Sequence, residues 1–185
     1  MRFLYWLESI RTPFITDLML AITHLGEEVP FLVAALIVFW CVDKYHGYYM
    51  LAVGLLGNMA NQFLKITCRI PRPWTRGDGF AAVEAAKAEA GGYSFPSGHS
   101  QTSVGTFGCI AVTQKNKFIR WTCLVVMIMV PFSRMYLGVH TPADVLVGSA
   151  MALVLVAALK PLTKEAGTRF IPTIFMVLLV LSVLY

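Results

Sequence analysis

A chain of 185 residues that is 57% hydrophobic and only 14% charged cannot hide its apolar surface inside one water-soluble domain. Its formal net charge of +5 is scattered among apolar stretches instead of forming a basic patch with interleaved aromatics, which excludes a nucleic-acid partner. The expected solvent is the membrane bilayer, and the expected fold class is all-α, a polytopic transmembrane helical bundle.

Along the chain, Phe3, Leu7, Ile10, Phe14, Leu18 and Ile22 recur at three- and four-residue steps. That spacing predicts an amphipathic N-terminal segment over 1–28, lying along the interface and broken near Pro13. Glu8, Arg11, Pro13 and Asp17 interrupt any apolar core there, so no cleaved secretory signal is expected. Apolar runs follow at 29–42, 45–64, 98–112, 119–132, 143–159 and 170–185, each helix-like, and predict five or six spans. The last run has no closing polar flank, so the natural chain is expected to continue beyond it.

No internal repeat or long linker divides the chain, which reads as a single membrane domain over 1–185 with one extramembrane loop at 69–96. Within that loop, 80–90 is alanine-rich, with Glu84 and Lys87 three apart, and predicts a short helix after Asp78 that Gly91-Gly92 ends and that covers a nearby site. The islands at 43–44, 115–120 and 160–169 fall on one side and carry seven basic residues against two acidic, so that side is expected to be cytoplasmic and the long loop to face outward. Cys41, Cys68, Cys109 and Cys123 show no metal-binding or disulfide spacing and are expected to be buried free thiols. Gly54, Gly57 and Ala60 suit helix packing within one chain or between chains.

Three clusters carry chemistry. Lys65, Arg69 and Arg72, with Pro73 behind them, share one helical face at the exit of a span and form a cationic wall. In Phe95-Pro96-Ser97-Gly98-His99-Ser100, Ser97 caps a new helix whose unpaired N–H groups attract phosphate. In Ser133-Arg134 and His140-Thr141-Pro142-Ala143-Asp144, Thr141 is an N-cap, and Asp144 can reach one nitrogen of His140 and leave the other free. Together they supply cations and donors for phosphate oxygens, a nucleophile and an acid for the leaving oxygen. This reading alone leaves open which histidine attacks. His24 and His46 read as structural histidines.

Lys65-x6-Arg72-Pro73, Pro96-Ser97-Gly98-His99 and Ser133-Arg134-x5-His140-x3-Asp144 together resemble the three-part signature of the type 2 phosphatidic acid phosphatase (PAP2) superfamily, specifically its membrane-bound lipid phosphatase branch. The resemblance implies that Lys65, Arg72 and Arg134 bind phosphate oxygens, with donors from Ser97 and Gly98. It further implies that His140 attacks phosphorus to give a phosphohistidine, that His99 protonates the leaving group and then activates water, and that Asp144 orients His140. Arg69 lies outside the signature and is a weaker candidate for headgroup contact.

What the resemblance implies is a hydrolase in a bacterial cell membrane, its site on the outer face, needing no cofactor or metal. Its substrates would be lipid phosphate monoesters or diphosphates of the phosphatidate, phosphatidylglycerophosphate or undecaprenyl diphosphate class. A lipid phosphotransferase using the same intermediate and a non-catalytic lipid-binding or transport protein are the alternatives.

Overall fold

The computed structural model describes residues 1–76 and 79–184; Asp78, the expected boundary of the loop helix, and Tyr185 lie outside the described residues. Among the described residues every regular element is helical. The helices are α1 (Arg2–Ser9), α2 (Pro13–Thr23), α3 (Glu28–Ile37), α4 (Lys44–Cys68), α5 (Glu84–Ala88), α6 (Gly98–Thr113), α7 (Lys117–Tyr136), α8 (Pro142–Ala158) and α9 (Ile171–Leu184).

Local chemistry starts most of them. Thr12 caps α2 by accepting from Ile15 N–H, and Pro13 takes the first helical position, so the expected break is a new helix start. The Asp43 carboxylate caps α4 and also holds His46 Nδ1 at 2.8 Å, the structural role expected for that histidine. Asn116 caps α7, and α8 opens on a full capping box between Thr141 and Asp144.

The N-terminal stripe is split between lipid-facing and core positions. Phe3, Ile10, Phe14 and Leu18 are exposed, while Leu4, Leu7 and Met19 enter the core. Pro13–Gly26 and Glu28–Val42 form a pair bent by 52°. α7 is by itself long and apolar enough to cross a membrane, and that bent pair qualifies if it forms one span. α4 has the length, but Asn58, Asn61, Gln62 and Lys65 dilute its apolar character.

α6 is the central helix, packed against α4, α7 and α8. Its buried residues include Ser100, Ser103, Gly105 and Gly108, small enough for neighbouring backbones to come close. A Cβ on Gly148 of α8 would lie 2.5 Å from the Ser97 carbonyl oxygen. That oxygen already accepts from Gln101 N–H in the first turn of α6, so it cannot simply move aside. Gly148→Ala is therefore expected to cost about 1–3 kcal/mol and to lower the melting temperature in detergent. An unchanged melting temperature would contradict the contact.

The 69–96 loop is tied down over one end of the bundle. Phe80, Ala82 and Ala86 share a buried cluster with Leu4, Leu7, Tyr136 and Val139. Arg11 donates to the carbonyls of Ala81 and Tyr136 at 2.6 and 3.0 Å, and Val83 N–H donates to Leu137 O at 3.0 Å. The loop helix is only Glu84–Ala88, shorter than the expected 80–90, because residues 80–83 are irregular chain that brings Phe80 and Ala82 into that cluster, with Val83 extended before the helix starts. Lys87 donates to Glu84 across its single turn at 2.6 Å.

At the other end, a cavity of about 230 Å³ is lined by Asp43, His46, Thr113 and Gln114, which puts the start of α4 and the end of α6 together. Large apolar side chains including Phe14, Trp40, Phe118, Trp121 and Leu146 remain on the outside of the bundle, a surface suited to lipid. The cysteines follow the same geometry. Cys109 and Cys123 are buried, but Cys41 and Cys68 are exposed, since an apolar run in a bundle keeps one face outward.

Candidate active site

Lys65, Arg72, Gly98, His99, Arg134 and His140 line one cavity of about 260 Å³ at the loop-covered end. They come from the last turns of α4, the loop, the first turn of α6, the end of α7 and the turn before α8. Of the expected site residues, Arg69, Ser97 and Asp144 are not on its wall.

α4 stops at Cys68, where Arg69 takes a left-handed conformation with φ 49°. Its exposed side chain turns back to donate to Ile66 O at 2.9 Å, so the helical face expected to carry Arg69 ends before it. Arg72 arrives from irregular chain instead. Its guanidinium donates to the carbonyls of Gly91, Gly92 and Val139 at 2.7, 3.1 and 3.1 Å. Nη1 also lies 2.9 Å from His140 Nε2. A guanidinium only donates, so this contact makes Nε2 the acceptor and leaves the imidazole proton on Nδ1.

Asp144 stands behind His140. Its Oδ2 is 3.6 Å from His140 Nδ1, close enough for charge attraction but longer than a hydrogen bond. That oxygen accepts instead from Thr141 N–H at 2.7 Å and from the Ser94 hydroxyl at 2.6 Å. Ser94, fully buried, belongs to none of the three clusters read from the sequence.

Arg134 is 1% exposed and donates from Nη1 to Thr23 Oγ1 at 2.8 Å, a second contributor the motifs do not indicate. The Ser97 hydroxyl accepts from Ser100 N–H and Ser100 Oγ at 3.3 and 2.8 Å, organising the start of α6 instead of facing the cavity. Gly98 does face it, and a Cβ there would meet only Asn61 Oδ1, at 3.7 Å. His99 Nε2 has no hydrogen-bond partner among the described residues.

The mouth of the cavity has different chemistry. Glu27, Glu28 and Glu89 line it. His24 Nδ1 pairs with Glu27 Oε1 at 2.5 Å, and His24, Glu27 and Glu89 bring one ligand atom each to within 4.8 Å of one another, a set of donor types that could hold a cation.

Burial pushes the His140 imidazole down to about 3, with Arg72 and Arg134 adding to the effect against the opposing pull of Asp144. The ring is therefore neutral at physiological pH. In the unfolded chain it titrates near 6.5, so below that pH the unfolded state takes up a proton that the folded state refuses. This contribution to stability is complete above the unfolded value and declines as pH falls from 6.5 towards 3. His140→Asn is expected to flatten the acid-side fall of the melting temperature over that window; parallel curves for variant and parent would contradict this.

The family model described as PAP2 superfamily matches residues 45–168. Phosphatidylglycerophosphatase B of Bacillus subtilis (strain 168) is 30% identical over 160 residues, covering 79% of this chain and 74% of that protein. Undecaprenyl-diphosphatase BcrC of the same organism is 27% identical over 113 residues, covering 61% of this chain and 55% of that protein. The crystal structure of the first transmembrane PAP2 type phosphatidylglycerolphosphate phosphatase from Bacillus subtilis superimposes with a TM-score of 0.72 at 28% identity, over 89% of this chain and 85% of that one. Aquifex aeolicus LpxE superimposes with a TM-score of 0.70 over 84% of this chain and 90% of that one, at 19% identity, a likeness of fold.

Proposed function

The chain belongs to the PAP2 superfamily, and from that premise we propose that it is a membrane phosphatase hydrolysing lipid phosphate monoesters or diphosphates through a phosphohistidine, without a metal ion. The observation that supports this reading is the meeting of Lys65, Arg72, Arg134, His99 and His140 around one cavity of about 260 Å³, room for a phosphate and part of the group it is esterified to.

In the proposed cycle Lys65, Arg72 and Arg134 hold the phosphoryl oxygens, and the Gly98 end of α6 adds backbone donors. His140 Nε2 attacks phosphorus while the bond to the leaving oxygen breaks, and His99 gives that oxygen a proton. Nδ1–H then carries the positive charge of the phosphorylated ring towards Asp144. In the second half, His99 takes a proton from water, whose oxygen attacks phosphorus, and the P–N bond breaks to restore neutral His140. Arg72 must swing part of its donor set from Nε2 to the incoming phosphate, a short move because its other contacts are fixed carbonyls.

The proposed placement is six crossings: the bent α2–α3 pair, α4, α6, α7, α8 and α9, with α1 at the interface. At 1.5 Å per residue α6 and α8 are roughly 24–26 Å long, somewhat under the ~30 Å hydrocarbon thickness, so their capped ends reach the headgroup layer. The basic islands at 43–44, 115–120 and 160–169 would lie in the cytoplasm, leaving the cavity outside. Such a membrane would be that of a bacterial cell, in keeping with the transmembrane PAP2 type phosphatase from Bacillus subtilis.

Purified protein in mixed micelles with chelator present is expected to release inorganic phosphate from phosphatidate, phosphatidylglycerophosphate or a polyprenyl diphosphate. Quenching during turnover with alkaline detergent should leave acid-labile, base-stable phosphate on the protein. No release from any of the three would overturn the reading.

A further inference from the structure

The cavity is polarised along its depth. Arg72, Arg134 and His140 at its floor are almost wholly buried, whereas Glu28 and Glu89 at its mouth are exposed and Glu27 is partly so. A phosphate held on the floor places the group esterified to it towards those carboxylates.

Between floor and mouth stands Asn61, one turn before Lys65 on the same face of α4. It is 1% exposed, it lines the cavity, and neither Oδ1 nor Nδ2 has a hydrogen-bond partner among the described residues. A buried amide left unpaired on both atoms is costly and calls for an occupant that satisfies it. A dianionic phosphate has acceptors only, so it can take a hydrogen bond from Nδ2 and give nothing to Oδ1. A donor on the leaving group, which lies on the same side of the phosphate, can satisfy Oδ1.

Resting on the phosphatase reading above, we infer that this cavity selects its substrate by the leaving group, favouring one that carries a hydroxyl or ammonium donor close to the ester oxygen and rejecting an anionic one. Asn61 is the specificity-determining contact, accepting that donor on Oδ1 and donating to a phosphoryl oxygen from Nδ2. Glu27, Glu28 and Glu89 act at longer range. The departing phosphate of a diphosphate carries its charge towards Glu28 and Glu89, with Glu27 paired to His24, and like charges brought together in a partly desolvated mouth repel. A neutral polyol or an ammonium meets acceptors there instead.

The test is a comparison of kcat/KM on four substrates in mixed micelles with chelator: phosphatidate, lysophosphatidate with its free hydroxyl, a sphingoid base phosphate with hydroxyl and ammonium, and farnesyl diphosphate. The parent is expected to favour the hydroxyl- or ammonium-bearing substrates over phosphatidate by about tenfold, with farnesyl diphosphate poorest, a spread of the size one well-placed hydrogen bond gives. Asn61→Leu, which keeps the branched shape and removes both polar atoms, should bring the lysophosphatidate to phosphatidate ratio to about one. The double variant Glu28→Gln, Glu89→Gln sits at exposed positions that folding tolerates and should raise the farnesyl diphosphate to phosphatidate ratio by about tenfold. A response of the sphingoid phosphate alone would assign the donor to ammonium, and a response of both to the hydroxyl they share. If the parent hydrolyses these lipids but neither ratio moves in either variant, the inference is wrong while the phosphatase reading stands. If the parent releases phosphate from none, both fall together.

Discussion

His140→Ala is expected to reduce phosphate release by about 10⁴-fold or more, the scale on which removal of a covalent nucleophile acts. The argument begins with protonation. A histidine can attack phosphorus only through an unprotonated nitrogen, and burial among cations keeps this imidazole neutral far below its ordinary range. Geometry then selects the nitrogen. Nδ1 faces Asp144 at 3.6 Å, so Nε2 is left towards the cavity, where Arg72 already approaches its lone pair at 2.9 Å. Alanine removes that atom, and no other described side chain on the cavity wall combines a neutral ring with this position. The measurement is phosphate release in micelles, with melting temperature as a control for folding. Retention of more than about a tenth of parent activity would remove His140 from the nucleophile role. His99→Ala makes the complementary case: with an aryl phosphate, whose leaving group needs no proton, phosphorylated enzyme should accumulate because the attack of water has lost its base.

How much of this was legible in the sequence depends on range. The caps at Ser97 and Thr141 read correctly because each is closed by residues three positions away, and a pattern of four residues contains the whole interaction. Of the six expected residues on the cavity wall, Lys65, Gly98, His99, Arg134 and His140 read correctly for the same reason, since each sits within a turn of a helix end, whereas Arg72 reads from its motif although it arrives from irregular chain. Ser94 and Thr23 did not show themselves, since their partners Asp144 and Arg134 lie 50 and 111 positions along the chain. Arg69 misled because extrapolating the α4 face past Cys68 assumes the helix continues, and a left-handed residue there ends it without any glycine to announce the stop. Asn61 was within reach, one turn back from Lys65, but an amide amid apolar residues carries no motif of its own. The N-terminal stripe, with Phe3, Ile10, Phe14 and Leu18 outward but Leu7 in the core, shows a limit of periodicity in lipid, where an apolar residue can point either to protein or to the bilayer with similar comfort.

Arg72→Lys is the second substitution expected to have a large effect, a loss of about 10²–10³-fold in kcat/KM despite an unchanged formal charge. Arg72 is held by three backbone carbonyls, from Gly91, Gly92 and Val139, two of them in the loop and one next to His140. That grip uses donors on Nε, Nη1 and Nη2 at once and fixes the plane of the guanidinium against the Nε2 it must share with phosphate. A lysine ammonium offers three donors from a single point and cannot bridge the loop, the Val139 carbonyl and a phosphoryl oxygen together. The variant therefore loses phosphate geometry and loosens the loop that carries Glu89 over the mouth. Both losses are readable. The inhibition constant of orthovanadate, which occupies the phosphoryl position, should weaken along with kcat/KM, and proteolysis within 79–92 should accelerate in the variant. A lysine variant with parent-like vanadate inhibition and turnover would show that charge alone suffices at this position, and the carbonyl cradle would then have no part in holding phosphate.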